Sequence, residues 1–273
     1  MTSSVMGFAA AVGLIAAAAY IAGTGMLIRS FNQGVPVSIR RVSLLTLAAL
    51  FFHGLSTYQV INTPQGLHLG IYAAASLVTL VLAGLILVAS IRLPVHNLLV
   101  LVLPLAAVSV LAARFLDSSF TPITNATPAL VWHIFLSVAA YAILFMATCQ
   151  AILLGVLERE LRSRRTIVLL RLLPPLETME SLLFPLLWVG LAALTLAIAT
   201  GFVFLEDMFA QHVVHHTALS LASWLVYAIL LGGHHVLGWR GTTAVRWSLI
   251  AFALLVLAYF GSKFVLEILL DQP

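Results

Sequence analysis

The sequence predicts an all-α membrane protein, a polytopic bundle of about eight transmembrane helices. Of its 273 residues, 62% are hydrophobic and 8% are charged, and the mean hydropathy is +1.13. A water-soluble chain of this length needs far more polar surface around its core, so the outer solvent is lipid. The apolar runs are about 20 residues long and do not alternate, which predicts spanning helices rather than the strands of a closed barrel.

Eight apolar stretches follow one another and make up most of the chain. Turn-forming and helix-breaking residues separate them, as at residues 32–34, 62–64, 92–94 and 174–175. No segment between them is long enough to fold alone, so we expect a single integral membrane domain over residues 1–273. The predicted spans are 4–28, 42–61, 69–91, 97–114, 129–157, 181–204, 217–238 and 247–270, with approximate ends.

The first stretch is expected to be a retained span. A signal peptide would need a basic residue before its apolar region, and no Lys or Arg precedes Arg29.

Eleven of the thirteen basic residues lie on the odd-numbered linkers. They are Arg29, Arg40, Arg41, Arg92, Arg159, Arg162, Arg164, Arg165, Arg171, Arg240 and Arg246. The positive-inside rule then predicts cytoplasmic odd linkers and two periplasmic termini in a bacterial inner membrane. This distribution suits a lipid bilayer and gives no support to a nucleic-acid partner.

Few residues could carry catalysis, which favours a protein that is not an enzyme. The sequence contains no zinc-protease, nucleophile-elbow, phosphate-loop or dinucleotide motif. Its one cysteine, Cys149, excludes an internal disulfide and a paired-cysteine redox or haem-attachment site. Carboxylates are almost absent from the spans, with Glu267 near the end of the last one. This argues against a cation-coupled transporter.

Histidine is the remaining polar group inside the predicted membrane region. His53 lies near mid-depth in the second span, and His133 lies about one turn into the fifth. His212, His215 and His216 lead into the seventh span at helical i, i+3 and i+4 spacing. The pair at 234–235 lies about 28 Å further along that helix and cannot share a site with them. We therefore expect a group of histidines toward the periplasm, with His68 and His96 as outlying residues.

Haem b is the cofactor that this group would best accommodate, with His133, His53 and His216 as candidate iron ligands and His215 beside them. Neutral imidazole binds haem iron and is tolerated in a membrane because it carries no charge. Zinc and copper favour additional cysteine or carboxylate ligands, which are lacking nearby. Haem needs one or two imidazoles and an apolar, aromatic-lined slot. A hydrogen-bonded packing role remains open for each histidine taken singly.

Two stretches resemble a known family. Residues 126–145, ATPALVWHIFLSVAAYAILF, and 218–241, ALSLASWLVYAILLGGHHVLGWRG, are similar to the cytochrome c assembly family of CcsA, CcmC and CcmF haem-handling proteins, and to its short YpjD/HemX-like branch. The resemblance implies that His133, next to Trp132, is a haem-binding histidine. It also implies that Trp224 leads the family's tryptophan-led span, which makes both tryptophans candidate haem contacts. Its other matching positions are Tyr141, Tyr227, Gly238, Trp239, Arg240 and Gly241.

The sequence also departs from this family. The loop that should carry a tryptophan-rich segment reads FVFLEDMFAQHVVHH, and no histidine follows the last span. The resemblance therefore implies a non-catalytic or accessory role in holding or moving haem. The alternative is a cofactor-free membrane subunit or regulator that binds a cytoplasmic or membrane protein through the basic fifth linker. Such a protein would regulate tetrapyrrole supply or serve a transporter.

Overall fold

The computed structural model describes residues 2–34, 38–120, 122–124, 126–162, 173–204 and 214–269. Within them, eight helices are long and apolar enough to cross a membrane, which confirms the predicted all-α, polytopic membrane protein. They are α1 (Thr2–Gln33), α2 (Ile39–Ile61), α3 (Ile71–Ala89), α4 (Leu99–Phe115, after a 3-10 turn at His96–Leu98), α5 (Pro128–Arg162), α6 (Leu176–Phe204), α7 (Val214–Leu237) and α8 (Gly241–Val256). Helix α8 continues in π-helical geometry through Leu257–Gly261 and Phe264–Leu269.

Several helices extend beyond the ends of the predicted spans. Helix α5 runs to Arg162, beyond the predicted end at 157, because its last turns are made of helix-forming Glu, Leu and Arg. A 2.6 Å ion pair between Glu158 and Arg162 adds i, i+4 support there. Helix α8 begins at Gly241, six residues before the predicted start. Hydropathy identifies the part of a helix that contacts lipid. The last turns of α5 and the first turn of α8 are more polar, so hydropathy does not detect that they are helical.

The chain forms two compact units. Unit 1 comprises Met1–Ala126 with Leu266–Pro273, and unit 2 comprises Thr127–Val265. In unit 1, α1 packs on α2 and α4, and α3 packs on α4. In unit 2, α5 packs along α6 and α8, and α7 packs on α8. The expectation of one integral membrane domain stays a prediction.

Unit 1 joins α2 to α3 through a two-stranded antiparallel hairpin, Asn62–Thr63 with Gly66–Leu67. Gly66 has φ of 128°, and a side chain there would collide with the Ile123 backbone. The backbone N–H of Ile71, at the start of α3, donates to Glu267 Oε2 at 2.8 Å. A buried carboxylate at a helix N-terminus satisfies an otherwise unpaired donor and matches the helix dipole. Glu267 is thus a helix cap.

Large apolar side chains point outward along the helices of both units. Phe51 in unit 1 is 69% exposed and Leu225 in unit 2 is 53% exposed. Side chains of this kind, in the middle of long apolar helices, are expected at a surface that contacts lipid. Helices suit that environment because they satisfy their own backbone hydrogen bonds.

Arg164, Arg165 and Arg171 of the fifth linker lie outside the described residues.

Candidate functional site

His133 lies in the second turn of α5, and local sequence sets its position. Pro128 occupies the first helical position, where its missing N–H has no cost. Thr127 Oγ1 accepts a hydrogen bond from the Leu130 N–H at 3.3 Å and so caps the helix. The His133 ring is half-buried, and its Nδ1 lies 3.1 Å from Thr200 Oγ1 on α6.

The Thr200 hydroxyl determines which His133 nitrogen carries the proton. Thr200 Oγ1 donates its single proton to the Ala197 carbonyl at 2.9 Å. It can therefore only accept from His133, so Nδ1 is the protonated nitrogen. The His133 ring also hydrogen-bonds with the Ala197 carbonyl, the same oxygen that Thr200 contacts. With its proton on Nδ1, His133 keeps the lone pair of Nε2. A metal-binding histidine typically has this arrangement, with the second nitrogen anchored and the first available.

His216 lies in the first turn of α7, half-buried in the same unit. Its ring meets Tyr259 edge-on, with centroids 5.9 Å apart. His133 and Lys263 belong to the electrostatic surroundings of His216. Lys263 Nζ lies 5.4 Å from the centroid of the Tyr259 ring. Unit 2 therefore brings together two of the predicted histidines, an aromatic ring and a cation.

Further aromatic side chains surround Tyr259. Tyr141, on α5, donates a 2.5 Å hydrogen bond to the Leu255 carbonyl, just before the π-helical part of α8. Its ring centroid is 6.2 Å from those of both Tyr259 and Phe260. These three rings form an aromatic wall contributed by α5 and the end of α8. Tyr141 is one of the positions that match the family in sequence, whereas no sequence pattern pointed to Tyr259.

The other residues predicted in unit 2 have separate surroundings. Trp224 on α7 donates a hydrogen bond from Nε1 to Thr195 Oγ1 on α6 at 2.9 Å, so its one donor is already paired. Trp132 is 63% exposed, and its ring meets Phe135 edge-on at 5.9 Å. His215 is exposed at the start of α7, and His212 lies outside the described residues.

His53 belongs to unit 1, where it is fully buried. Its Nδ1 lies 3.1 Å from Tyr20 Oη and its Nε2 lies 2.9 Å from Ser76 Oγ. Ser76 Oγ is in turn 2.9 Å from Thr57 Oγ1. Both ring nitrogens thus have partners from neighbouring helices. Iron binding by His53 would require one of these hydrogen bonds to break.

The histidines at the far end of α7 serve the turn into α8. His234 stacks on Phe184 with centroids 3.4 Å apart, and its Nδ1 lies 2.9 Å from the Trp239 carbonyl. Gly238 ends α7 with φ of 67°, and Gly241 starts α8 with φ of 53°. Both values favour glycine, which explains the Gly-Trp-Arg-Gly sequence of this turn.

The structure adds Thr200, Tyr259 and Lys263 to the residues proposed from sequence. Thr200 and Lys263 resemble many other helical polar residues, so only tertiary packing identifies them. Among the described residues, no group of three or more His, Cys, Asp or Glu side chains could hold a metal ion. The arrangement in unit 2 suits an iron that brings four of its own ligands and needs one or two imidazoles.

Comparison with known proteins confirms the resemblance. The chain matches the family model described as "Cytochrome C assembly protein" over residues 41–270. It is 28% identical over 258 residues to "Inner membrane protein YpjD" of Escherichia coli (strain K12), covering 94% of this chain and 98% of that protein. It is 41% identical over 140 residues to an "Uncharacterized 28.8 kDa protein in nifR3-like 5'region" of Azospirillum brasilense, covering 50% of this chain and 52% of that protein.

No solved structure matches the chain significantly. The family match spans seven of the eight helices, from α2 to the end of α8, and includes both stretches that carry the resemblance. His53, His133 and His216 all lie within it. The chain belongs to the cytochrome c assembly protein family.

Proposed function

We propose that this protein holds haem b at the His133 end of unit 2, as a non-catalytic accessory of cytochrome c biogenesis in a bacterial inner membrane. The observation that carries the proposal is the hydrogen bond from His133 Nδ1 to Thr200. It leaves Nε2 as an unprotonated nitrogen that can coordinate iron. Family membership and the name of the Escherichia coli relative support the haem-related role and the inner-membrane location.

The donor set of unit 2 fits haem. His133 and His216 would hold the iron through their imidazoles, and Tyr141, Tyr259 and Phe260 would supply apolar and aromatic surface. Lys263 supplies a positive charge that suits a propionate. Haem itself would contribute an iron centre that accepts these two nitrogens. His215, Trp132 and Trp224 stay candidate contacts at the same end of unit 2.

His216 is the preferred second ligand over His53. Both nitrogens of His53 already have hydrogen-bond partners in the core of unit 1. His216 is half-buried, and its ring lies edge-on against the ring of Tyr259. Binding through His216 therefore leaves the buried polar network of unit 1 intact.

Absorption spectroscopy of the purified protein tests the proposal. After expression in haem-replete cells, the wild type should show a Soret band corresponding to about one haem per chain, as one bis-histidine or mono-histidine site predicts. His133→Ala should lose most of this band. His235→Ala, a histidine at the opposite end of α7, should leave it unchanged.

Two results would refute haem binding at His133. One is a wild-type protein that retains no haem after mild purification and does not bind added haemin. The other is an unchanged Soret band in His133→Ala. The first result would favour the cofactor-free subunit or regulator, and the second would move the site elsewhere in the chain.

A further inference from the structure

A groove of 480 Å³ lies between α5 and α8 within unit 2. Its lining combines four apolar side chains with three basic ones. They are Ile152, Val156, Val245 and Leu249, and Arg159, Arg162 and Arg246. Along α5, about 39 Å separates Arg159 from His133, so the groove is distinct from the proposed haem site.

The groove carries two arginines that no carboxylate of the described residues pairs with. Arg162 is paired with Glu158 at 2.6 Å, and the Glu158 side chain is mostly buried. Within the part of the chain that the structure describes, Arg159 and Arg246 have no carboxylate partner. Both are exposed, one on each side of the groove. One cation from α5 and one from α8 thus line the same groove.

Along α5, the apolar lining residues lie further from the C-terminal end of the helix than the arginines do. Seven residues separate Ile152 from Arg159, a rise of about 10 Å. Helix α5 has 35 residues and is about 52 Å long, well beyond a hydrocarbon core of about 30 Å. Its last turns therefore extend to the level of the lipid headgroups. The apolar side chains thus form the floor of the groove and the arginines form its rim. A phospholipid in one leaflet has the same order, with its acyl chains below its headgroup.

We propose that this groove binds one anionic phospholipid of the leaflet in which it lies. The phosphate is held by Arg159 and Arg246, and an acyl chain lies on Ile152, Val156 and Leu249. Basic residues at a membrane surface attract anionic headgroups, and pockets between spans hold them specifically. A soluble phosphate would use the arginines alone, and the apolar floor would then have no role.

Lipid titration of the purified full chain tests this site. The protein is delipidated in neutral detergent, and native mass spectrometry then measures retention of dioleoyl phosphatidylglycerol and dioleoyl phosphatidylcholine. We expect the wild type to retain one phosphatidylglycerol at concentrations where phosphatidylcholine dissociates. Arg159→Gln with Arg246→Gln should weaken phosphatidylglycerol binding roughly 30-fold, since each arginine contributes a factor of about five.

The matched control is Arg40→Gln with Arg41→Gln, which removes two exposed arginines at the start of α2 in unit 1. It should retain phosphatidylglycerol like the wild type. Val156→Ser with Leu249→Ser keeps the arginines and should weaken binding of the dioleoyl lipid. Size-exclusion profiles report whether each variant is folded.

Three results of the lipid titration would overturn the proposal. They are equal loss of phosphatidylglycerol in the two arginine double variants, equal retention of phosphatidylcholine and phosphatidylglycerol by the wild type, and displacement of bound phosphatidylglycerol by millimolar inorganic phosphate. The last would show that the arginines recognise a free anion. Haemin competing with phosphatidylglycerol for the groove would also contradict it, and the His133→Ala spectrum would still report separately on the haem site.

Discussion

At the scale of single residues, a threonine hydroxyl decides the chemistry available to His133. A hydroxyl has one proton, and Thr200 gives its proton to the Ala197 carbonyl. The imidazole must then present its N–H to Thr200 and its lone pair elsewhere. Groups that orient a ligating histidine in this way influence metal affinity without touching the metal.

Thr200→Val should weaken haem retention by about ten-fold, the lower end of the range for loss of such an orienting partner. Valine keeps the shape of threonine but cannot accept the hydrogen bond, so His133 loses its fixed tautomer. Haem transfer to an excess of apomyoglobin, followed in the Soret band, measures the change.

Thr200→Ser is the matched control, because it keeps the hydroxyl and should retain haem like the wild type. If the valine and serine variants lose haem equally fast, the hydroxyl has no orienting role. If neither differs from the wild type, His133 binds haem without Thr200 or does not bind it.

His53 shows the opposite use of an imidazole, as a packing residue in a buried polar network. Its partners, Tyr20 and Ser76, come from α1 and α3. A buried polar group left without its partner costs free energy, so both would be affected by removal of the ring.

We therefore expect His53→Ala to lower the free energy of unfolding by about 1–3 kcal/mol and to leave the haem spectrum unchanged. His216→Ala should do the reverse, altering the spectrum with little loss of stability. Thermal unfolding in detergent and absorption spectra of both variants make the comparison. A spectrum altered in His53→Ala but not in His216→Ala would assign the second axial position to His53.

At the scale of elements, small residues allow the helices of each unit to approach closely. Gly190 on α6 faces the fully buried Leu144 on α5. A Cβ built at 190 would lie 2.8 Å from Leu144 Cγ, too close for any real side chain. Lipid is as apolar as the helices, so the hydrophobic effect does not hold helices together within a membrane. Small residues at the interface allow dense packing, which does.

Gly190→Ala should destabilise the protein by about 1–3 kcal/mol, the usual cost of inserting a methyl group into a filled core. In a Leu144→Ala background the same glycine substitution should cost less, because the colliding side chain is absent. Gly232→Ala on α7, where a Cβ meets nothing within 4 Å, is the control and should be neutral or slightly stabilising. Equal melting temperatures for the two glycine variants would contradict this account of the α5–α6 contact.

At the scale of the whole molecule, the arrangement of charges predicts orientation. Arg29, Arg92 and Arg240 mark three linkers that should face the cytoplasm. The opposite orientation would move eleven basic residues away from the anionic inner leaflet, at about 1 kcal/mol each, and against the membrane potential. The predicted orientation also places His133 toward the periplasm and the arginine groove toward the cytoplasm.

A C-terminal fusion after Pro273 tests this prediction. A periplasm-active phosphatase should be active in that position, and a cytoplasm-active fluorescent protein should be dark. The same two reporters inserted near residue 34 are the control and should give the reverse pattern. A fluorescent, phosphatase-negative C-terminus would contradict the predicted orientation.

The sequence by itself determined the fold class, the number of spans and the family. Each depends on local chemistry, since apolar length, charged linkers and the stretches around His133 and Trp224 are properties of the chain before it folds. The helix ends at Arg162 and Gly241 were less predictable, because helical backbone continues beyond the apolar residues that hydropathy detects.

Only the tertiary structure decided what each histidine contacts. His53 and His133 look alike in sequence, as single imidazoles within apolar runs. Packing placed a hydrogen-bond partner at both nitrogens of His53, whereas the hydrogen bond from His133 to Thr200 uses Nδ1 and leaves the lone pair of Nε2. The same holds for Thr200 and Tyr259, which become neighbours of the site through helices distant in sequence. Hydrogen-bond satisfaction is a property of the packed helices, so no local pattern could distinguish these roles.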